Sequence, residues 1–370
     1  MVKKYRVVFT PEEPFFFGNE KTFTYSGQRN SGIYGSLYYI RSESIPSQST
    51  LLGALRYMML PVKRADYKYT DEEIEKNREA VGTDSFDIGY EPKYSSEPVQ
   101  TFGVIKSLSP VYIVHGEDIV IPAPMDHKNG EINNNGTEVY HPFSEYAEIR
   151  TLEGRKLYAL DYNAKKGTAV DKYMIIGDSA IIDADEIFNK TTRVGINRAV
   201  KNKGMFKKEF CMLEKGYSFA IDVDLDYEKI TDNIKVLIES GTLVYLGQNK
   251  SVFTVRFTES DLSIEDVVRR CFASYRRDKG SMLYVLGDAL AIENMYENTL
   301  WASVTTRDYR SFKRNQTEPG IVDKGTVLYK MVRAGSVIMV EDCDVWLEGY
   351  RQTTGYENAR NIGYCSIITI

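Results

Sequence analysis

The sequence predicts an α+β fold of two units, each in the order strand, helix, strand pair, helix, strand, with large insertions. Three observations in the second half carry this. Phe219, Ile221, Val223 and Leu225 alternate with Asp222 and Asp224, the period-two pattern of a strand with one apolar and one acidic, solvated face. Ile230, Ile234, Leu237 and Ile238 then follow helical spacing, and Gly241 ends the helix. Two further strands, Leu243–Leu246 and Val252–Phe257, flank the polar turn Gly247–Ser251. Ser263 next caps a helix through Ile264, Val267, Val268, Cys271 and Phe272. Strand-like runs at Leu283–Leu286 and Val337–Val340 complete the series. This is the order of a ferredoxin-like (RRM-like) β-α-β-β-α-β unit. The first half reads the same way, which divides the chain into 1–190 and 191–370.

In that first half, Tyr5–Phe9 is a strand, and Pro11 and Pro14 end it. Phe15–Tyr25 is aromatic with a turn at Gly18-Asn19, and Arg29–Gly35 is a glycine-rich loop. Ser49 caps a helix that runs to Leu60, where Pro61 stops it. Gly53 costs about 1 kcal/mol relative to Ala inside a helix, so it implies a close backbone approach there. Thr70 and Glu73 form a capping box that opens a charged helix to Val81. Val111–Pro124 reads as a hairpin turning at His115-Gly-Glu-Asp118, and the polar run Asp126–His141 as a loop.

At 370 residues the chain is long enough for two full cores. Its net charge is −5, so any contact with nucleic acid must come from local patches. Tyrosine is abundant, 27 residues against 2 Trp, which suits either amphipathic strands or wet stacking surfaces. Cys211, Cys271, Cys343 and Cys365 are far apart and form no CxxC, which argues against a zinc ribbon or disulfide scaffold and fits a reducing cytoplasm. No run is apolar and long enough to span a membrane, and the start lacks the apolar core of a signal peptide.

Catalytic and metal motifs fail on chemistry. Asp222, Asp224 and Asp226 mimic the start of a calcium loop, but Tyr227 stands where the sharp turn needs Gly and Asn233 where a bidentate Glu belongs. The histidines are His115, His127 and His141, and none lies in a zinc-binding pattern. Nucleotide-loop and nucleophile-elbow patterns are absent as well. No cofactor, metal or catalytic constellation is expected.

Positive charge is clustered instead. Arg193–Lys208 holds Arg193, Arg198, Lys201, Lys203, Lys207 and Lys208 with no acid, beside Asn197 and two glycines, in the manner of an arm for phosphates. Arg269–Lys279 is a second cluster. A third, Arg307–Arg314, surrounds Tyr309 and Phe312, which suits base stacking or a protein partner. Ser49, Thr50 and Arg56 offer a helix N-terminus and a guanidinium fork to an anion, with an ordinary capped helix as the alternative. Arg29 in its loop adds a cation, and Gln248, Asn249 and Lys250 add polar groups at a turn. The tail Gly355–Tyr364, with Asn358, Arg360 and Asn361 between bracketing glycines, reads as a phosphate loop or an ordinary turn.

Four segments together resemble one family. They are PEEPFFFGNEKTF (Pro11–Phe23), PSQSTLLGALR (Pro46–Arg56), VIPAPMD (Val120–Asp126) and TTRVGINRAVKNKGMFKKEF (Thr191–Phe210). In this order they are similar to the repeat-associated mysterious proteins of CRISPR systems, and most to the third-subunit group of the type III-B effector. Leu246-Gly247-Gln248 departs from the family's Leu-Gly-Gly, which leaves type III-A and III-D counterparts open. The resemblance implies two ferredoxin-like domains and a non-catalytic subunit that caps the 5′ handle of the CRISPR RNA. It also implies contact with the large polymerase-like subunit and with backbone subunits. The handle would then lie on Arg29, Ser49, Thr50, Arg56, the Arg193–Lys208 arm, Gln248–Lys250 and the tail. A repeat-processing endoribonuclease using a histidine base, or a protein adaptor that never touches RNA, are the competing expectations.

Overall fold

The structure is a computed structural model. It describes residues 1–18, 22–26, 36–64, 68–82, 86–88, 99–132, 138–142, 146–160, 169–177, 180–196, 205–247, 249–273, 281–296, 298–310, 312–314, 322–324 and 327–370. The chain opens with β1 (Val2–Pro11), β2 (Thr22–Ser26), β3 (Ser36–Arg41), α1 (Gln48–Met58), α2 (Asp71–Val81), β4 (Ile105–Leu108), β5 (Tyr112–His115) and β6 (Asp118–Pro122). It continues through β7 (His127–Ile132), β8 (Glu138–Pro142), β9 (Tyr146–Arg150), β10 (Lys156–Leu160), β11 (Lys172–Ile175), β12 (Ile181–Asp183), β13 (Phe188–Ile196) and β14 (Met205–Leu213). Then come β15 (Tyr217–Asp226), α3 (Asp232–Ser240), β16 (Thr242–Leu246), β17 (Ser251–Glu259), α4 (Ile264–Phe272) and β18 (Ser281–Val285). The last stretch holds β19 (Ala289–Leu290), β20 (Thr299–Ser303), β21 (Thr306–Tyr309), β22 (Phe312–Arg314), β23 (Val322–Lys324) and β24 (Tyr329–Val332). It closes with β25 (Val337–Val340), α5 (Cys343–Arg351), α6 (Tyr356–Asn361) and β26 (Ile367–Thr369).

The result is a mixed α and β chain whose described strand pairs are antiparallel, apart from the parallel pair β14–β3. The largest sheet runs β12-β11-β6-β5-β15-β1-β17-β16, with β4 also on β15. β1 lies between β15 and β17, pairing Val7 with Ile221 on one side and with Phe257 on the other. The expected division at 190/191 therefore runs through this sheet. A second sheet runs β20-β25-β18-β26, and a third β13-β14-β3-β2.

The alternation of β15 does what its sequence predicts on the apolar side. Phe219, Ile221, Val223 and Leu225 are fully buried in one cluster with Leu51 and Leu55 of α1 and Ile234 and Ile238 of α3. The other face is only partly solvated, unlike the acidic, solvated face the sequence predicts: Asp224 stays half-exposed and Asp222 does not. Asp222 is buried because α4 covers it. Its carboxylate accepts the Ile264 N–H at the start of α4 (2.6 Å) and the Tyr112 hydroxyl (2.8 Å). Burial still pushes the Asp222 pKa up. α4 buries Ile264, Val268 and Phe272 in a second cluster with Met282 and Tyr284 of β18 and Val337 and Met339 of β25. Leu283, Val285, Ile338 and Val340, on the opposite parity, join the first cluster with Trp346 and Tyr350 of α5. α4 thus joins the large sheet to the β20-β25-β18-β26 sheet.

Local signals place most helix ends. Thr70 and Glu73 make the capping box at α2, and Ser263 caps α4. At α1 the cap is Ser47, whose hydroxyl accepts the Thr50 N–H; Ser49 is already inside the helix. Gly53 has no close approach: a Cβ there would meet nothing. The polar run after Asp126 contains the hairpin β7–β8 rather than a loop, and the tail expected as a loop holds α6, entered through Gly355 at φ +79°. None of the four cysteines is in a disulfide.

Candidate nucleic-acid interface

The basic arm is built on the β13–β14 hairpin. β13 pairs antiparallel with β14 from Phe188↔Leu213 to Ile196↔Met205, which sets Arg193 opposite Lys208 and Val194 opposite Lys207. β14 then pairs parallel with β3, which sets Lys207 beside Tyr39 and Glu209 beside Arg41. Because successive side chains alternate faces, Arg193 and Lys208 share one face and Lys207 and Glu209 the other.

The first face is an aromatic floor carrying cations. The Arg193 guanidinium lies 4.7 Å from the Phe210 ring centroid. The Lys208 ammonium lies 3.7 Å from the Phe16 centroid and 5.5 Å from that of Phe210, and donates to Asn249 Oδ1 at 2.6 Å. Phe16 and Phe210 meet edge to face at 5.8 Å. Burial lowers the Lys208 pKa, so this amine gives up hydration for ring faces and one amide oxygen. The PEEPFFFG segment supplies Phe16 to that floor and β14 supplies Phe210. Phe15 bridges Cys211 of β14, and Gly247 (φ +72°) brings the β16–β17 turn so close that a Cβ would collide with the Phe16 carbonyl oxygen. Asn249 and Lys250 sit exposed on this turn.

The second face holds residues that sequence reasoning missed. Lys207 lies 5.1 Å from the Tyr39 centroid, and Arg41 lies 5.2 Å from it while donating Nε–H to the Tyr39 hydroxyl at 3.2 Å. That hydroxyl donates to Glu209 at 2.8 Å. The only local signal was Tyr38-Tyr39-Ile40-Arg41, a short alternation of aromatic and basic side chains. Arg29, Asn197, Arg198, Lys201, Lys203 and Gln248 lie outside the described residues.

The other expected contacts are brought together, but in packing roles. Arg56 donates to the Gly82 carbonyl at 2.9 Å and lies 5.6 Å from the Phe102 ring centroid, so it braces the end of α2. Gln48, buried at the start of α1, donates to the carbonyls of Ser109 (3.1 Å) and Gly363 (3.2 Å), which ties α1 to the tail. Asn358 is buried and accepts the Gln100 N–H at 2.8 Å, and Arg360 is paired with Glu265 at 2.7 Å. Asn361 is half-buried at the end of α6. Ser49 and Thr50 are half-buried, with Ser49 beside the buried Tyr309 hydroxyl. Tyr309 packs edge to face on Tyr364 at 5.3 Å, so its ring is not free to stack a base. His127 is buried against Asp126 (2.9 Å), and His115 stacks on Tyr217 at 4.4 Å.

A cleft of about 900 Å³ runs from Ser44, Pro46 and Gln48 to Asn189 and Lys190 at the base of β13. Of its cations, Lys172, Arg307 and Arg333 are paired with Asp183, Asp288 and Asp171, and Lys190 shares the lining with the further acids Glu43 and Asp185. Net positive charge is therefore greater on the hairpin than in the cleft. Among the described residues no cluster of His, Cys, Asp and Glu can hold a metal ion, and no helix is long and apolar enough to cross a membrane.

The family model of a CRISPR-associated protein, Cas_Cmr3, matches residues 7–370. The chain belongs to the Cas_Cmr3 family. Its fold is similar to that of a chain in a cryo-EM structure of type III-B Cmr-beta bound to cognate target RNA. That match has 12% identity and a TM-score of 0.50, covering 98% of this chain and 96% of that one. A second such structure, bound to target RNA and AMPPnP, matches at 13% identity and a TM-score of 0.51 with the same coverage. No curated protein sequence matches the chain. The quoted motifs of Pro11–Phe23 and Thr191–Phe210 meet in space, through the Lys208–Phe16 and Phe210–Phe16 contacts.

Proposed function

We propose that this Cas_Cmr3 member is a non-catalytic, RNA-binding structural subunit of a type III-B CRISPR effector. It caps the 5′ handle of the CRISPR RNA and contacts the large polymerase-like subunit and the backbone subunits. The observation that carries the RNA reading is the β13–β14 hairpin, where Arg193, Lys207 and Lys208 ride on Phe16, Phe210 and Tyr39. Cations held over aromatic faces at a strand surface suit a single strand, whose phosphates take the charge. The buried rings of Phe16 and Phe210 hold the cations in place, and half-buried Tyr39 is the ring left to meet a base. The fold relatives come from complexes bound to target RNA. The buried ring of His127 argues against that residue as the base of a repeat-processing nuclease.

Strand pairing also supports the finer fold reading of two ferredoxin-like units, with a boundary later than 190/191. β1, α1, β4, β15, α3 and β17 have the sheet order fourth-first-third-second expected of a β-α-β-β-α-β unit. β18, β20, β25, α5 and β26 repeat that order, with a short 3-10 helix, Glu293–Tyr296, in place of the first helix. The test of function is a nuclease footprint of the guide in the assembled complex. Protection of its 5′ end that fails on charge reversal in the hairpin supports the reading. An unprotected 5′ end refutes it, and cleavage of repeat RNA by the isolated chain would establish the nuclease instead.

A further inference from the structure

The nine-stranded sheet ends at β16, which among the described residues is an unguarded edge. Its inner side pairs with β17 without a register shift, from Thr242↔Val255 to Leu246↔Ser251; among the described residues nothing pairs with its outer side. Unpaired strand edges attract other strands, and soluble proteins blunt them with charge, proline, a bulge or shortness. The opposite end of the same sheet is blunted in this way: β12 has three residues and ends in Asp183. β13, at the edge of its own sheet, carries Lys190 and Arg193. β16 reads Thr-Leu-Val-Tyr-Leu, with no charge, proline or glycine. Val244 and Leu246 point into the core, while Leu243 and Tyr245 are 65% and 67% exposed on the opposite face. Neighbouring α1 and α3 expose Tyr57 and Val236.

We propose that β16 is the docking edge for an extended segment of a partner protein, which adds a strand to the sheet and lays alternate apolar side chains on Leu243 and Tyr245. The charges decide the class of occupant. A nucleic acid strand carries one negative charge per nucleotide, and residues 242–246 offer no cation to meet it. A polypeptide strand satisfies both the free backbone groups and the apolar pair. β16 runs into the Gly247–Lys250 turn that meets the hairpin, so the test sets RNA and protein partners side by side on this edge.

Hydrogen exchange tests it on the full chain in three states: alone, with single-stranded RNA, and in the complex recovered with its protein partners. Strand addition slows exchange across residues 242–246 by about tenfold or more in the complex and leaves it unchanged with RNA alone. The double variant L243K/Y245K then falls at least tenfold in occupancy of the complex. Its thermal unfolding matches wild type. Equal exchange in the free chain and the complex would overturn the proposal even if the double variant failed to fold. So would protection by RNA alone. A concentration-dependent dimer of the free chain, abolished by L243K/Y245K, would assign the edge to a second copy and overturn it as well.

Discussion

Replacing Arg56 by alanine separates a structural brace from an RNA clamp. Its guanidinium donates to the Gly82 carbonyl at the end of α2 and lies over Phe102, linking α1 to α2 and to the segment before β4. A hydrogen bond from a charged donor contributes about 1.5–3 kcal/mol, and the ring contact about 0.5–1 kcal/mol at a partly exposed site. Arg56 is half-buried, so the lower ends apply, and Arg56→Ala should cost about 2 kcal/mol. In a unit of some 250 residues that lowers Tm by roughly 4–8 °C. Arg56→Lys keeps the charge but not the planar fork, and should recover less than half of the loss. Differential scanning calorimetry reads both variants, and filter binding to single-stranded RNA is run beside it. An unchanged Tm with a tenfold loss of RNA affinity would refute the brace and restore the phosphate clamp that the sequence suggested.

Other substitutions test neighbouring parts of the argument. Gly53→Ala should stabilise the chain by about 1 kcal/mol in urea unfolding, since an added Cβ meets nothing and Ala is the better helix former. Gly247→Ala should destabilise it by about 1–3 kcal/mol, because the turn needs positive φ and the Cβ would strike the Phe16 carbonyl. For Asp222, burial raises the folded-state pKa above its ordinary value of 3.8, so the folded chain holds this proton more tightly than the unfolded one. Its contribution therefore falls as pH rises from 3.8 through the raised value, then stays level. The stability of wild type minus that of Asp222→Asn, from urea titrations at a series of pH values, should fall over that window; a difference that grew with pH would contradict the buried-carboxylate account.

Local chemistry was legible where one segment decided the outcome. The Thr70–Glu73 box, the Ser263 cap and the alternation of β15 each depend on residues within a few positions. What could not be read was which strand meets which. β1 takes both its neighbours from residues 217–259, so a sheet that closes over more than two hundred residues was cut at 190/191. The same blindness misassigned Asp222, whose hydrophilic face is solvent until α4 folds over it. At the interface, the Arg193–Lys208 cluster was visible as uncompensated charge. Tyr39 and Arg41 were not, because only the parallel β3–β14 pairing brings them to Lys207 and Glu209. Arg56 and Asn358 were over-read for a related reason: a polar side chain at a helix start or between glycines looks free until its packing partner is known.

The central claim is that the hairpin holds RNA through its phosphates, and the salt dependence of binding tests it most directly. Each phosphate contact on a single strand contributes about 0.7 to the slope of log affinity against log salt. For the full chain with single-stranded RNA, the double variant R193Q/K207Q should flatten that slope by about 1.4 relative to wild type. The same slope in both proteins, or wild-type binding with no salt dependence, would contradict the account.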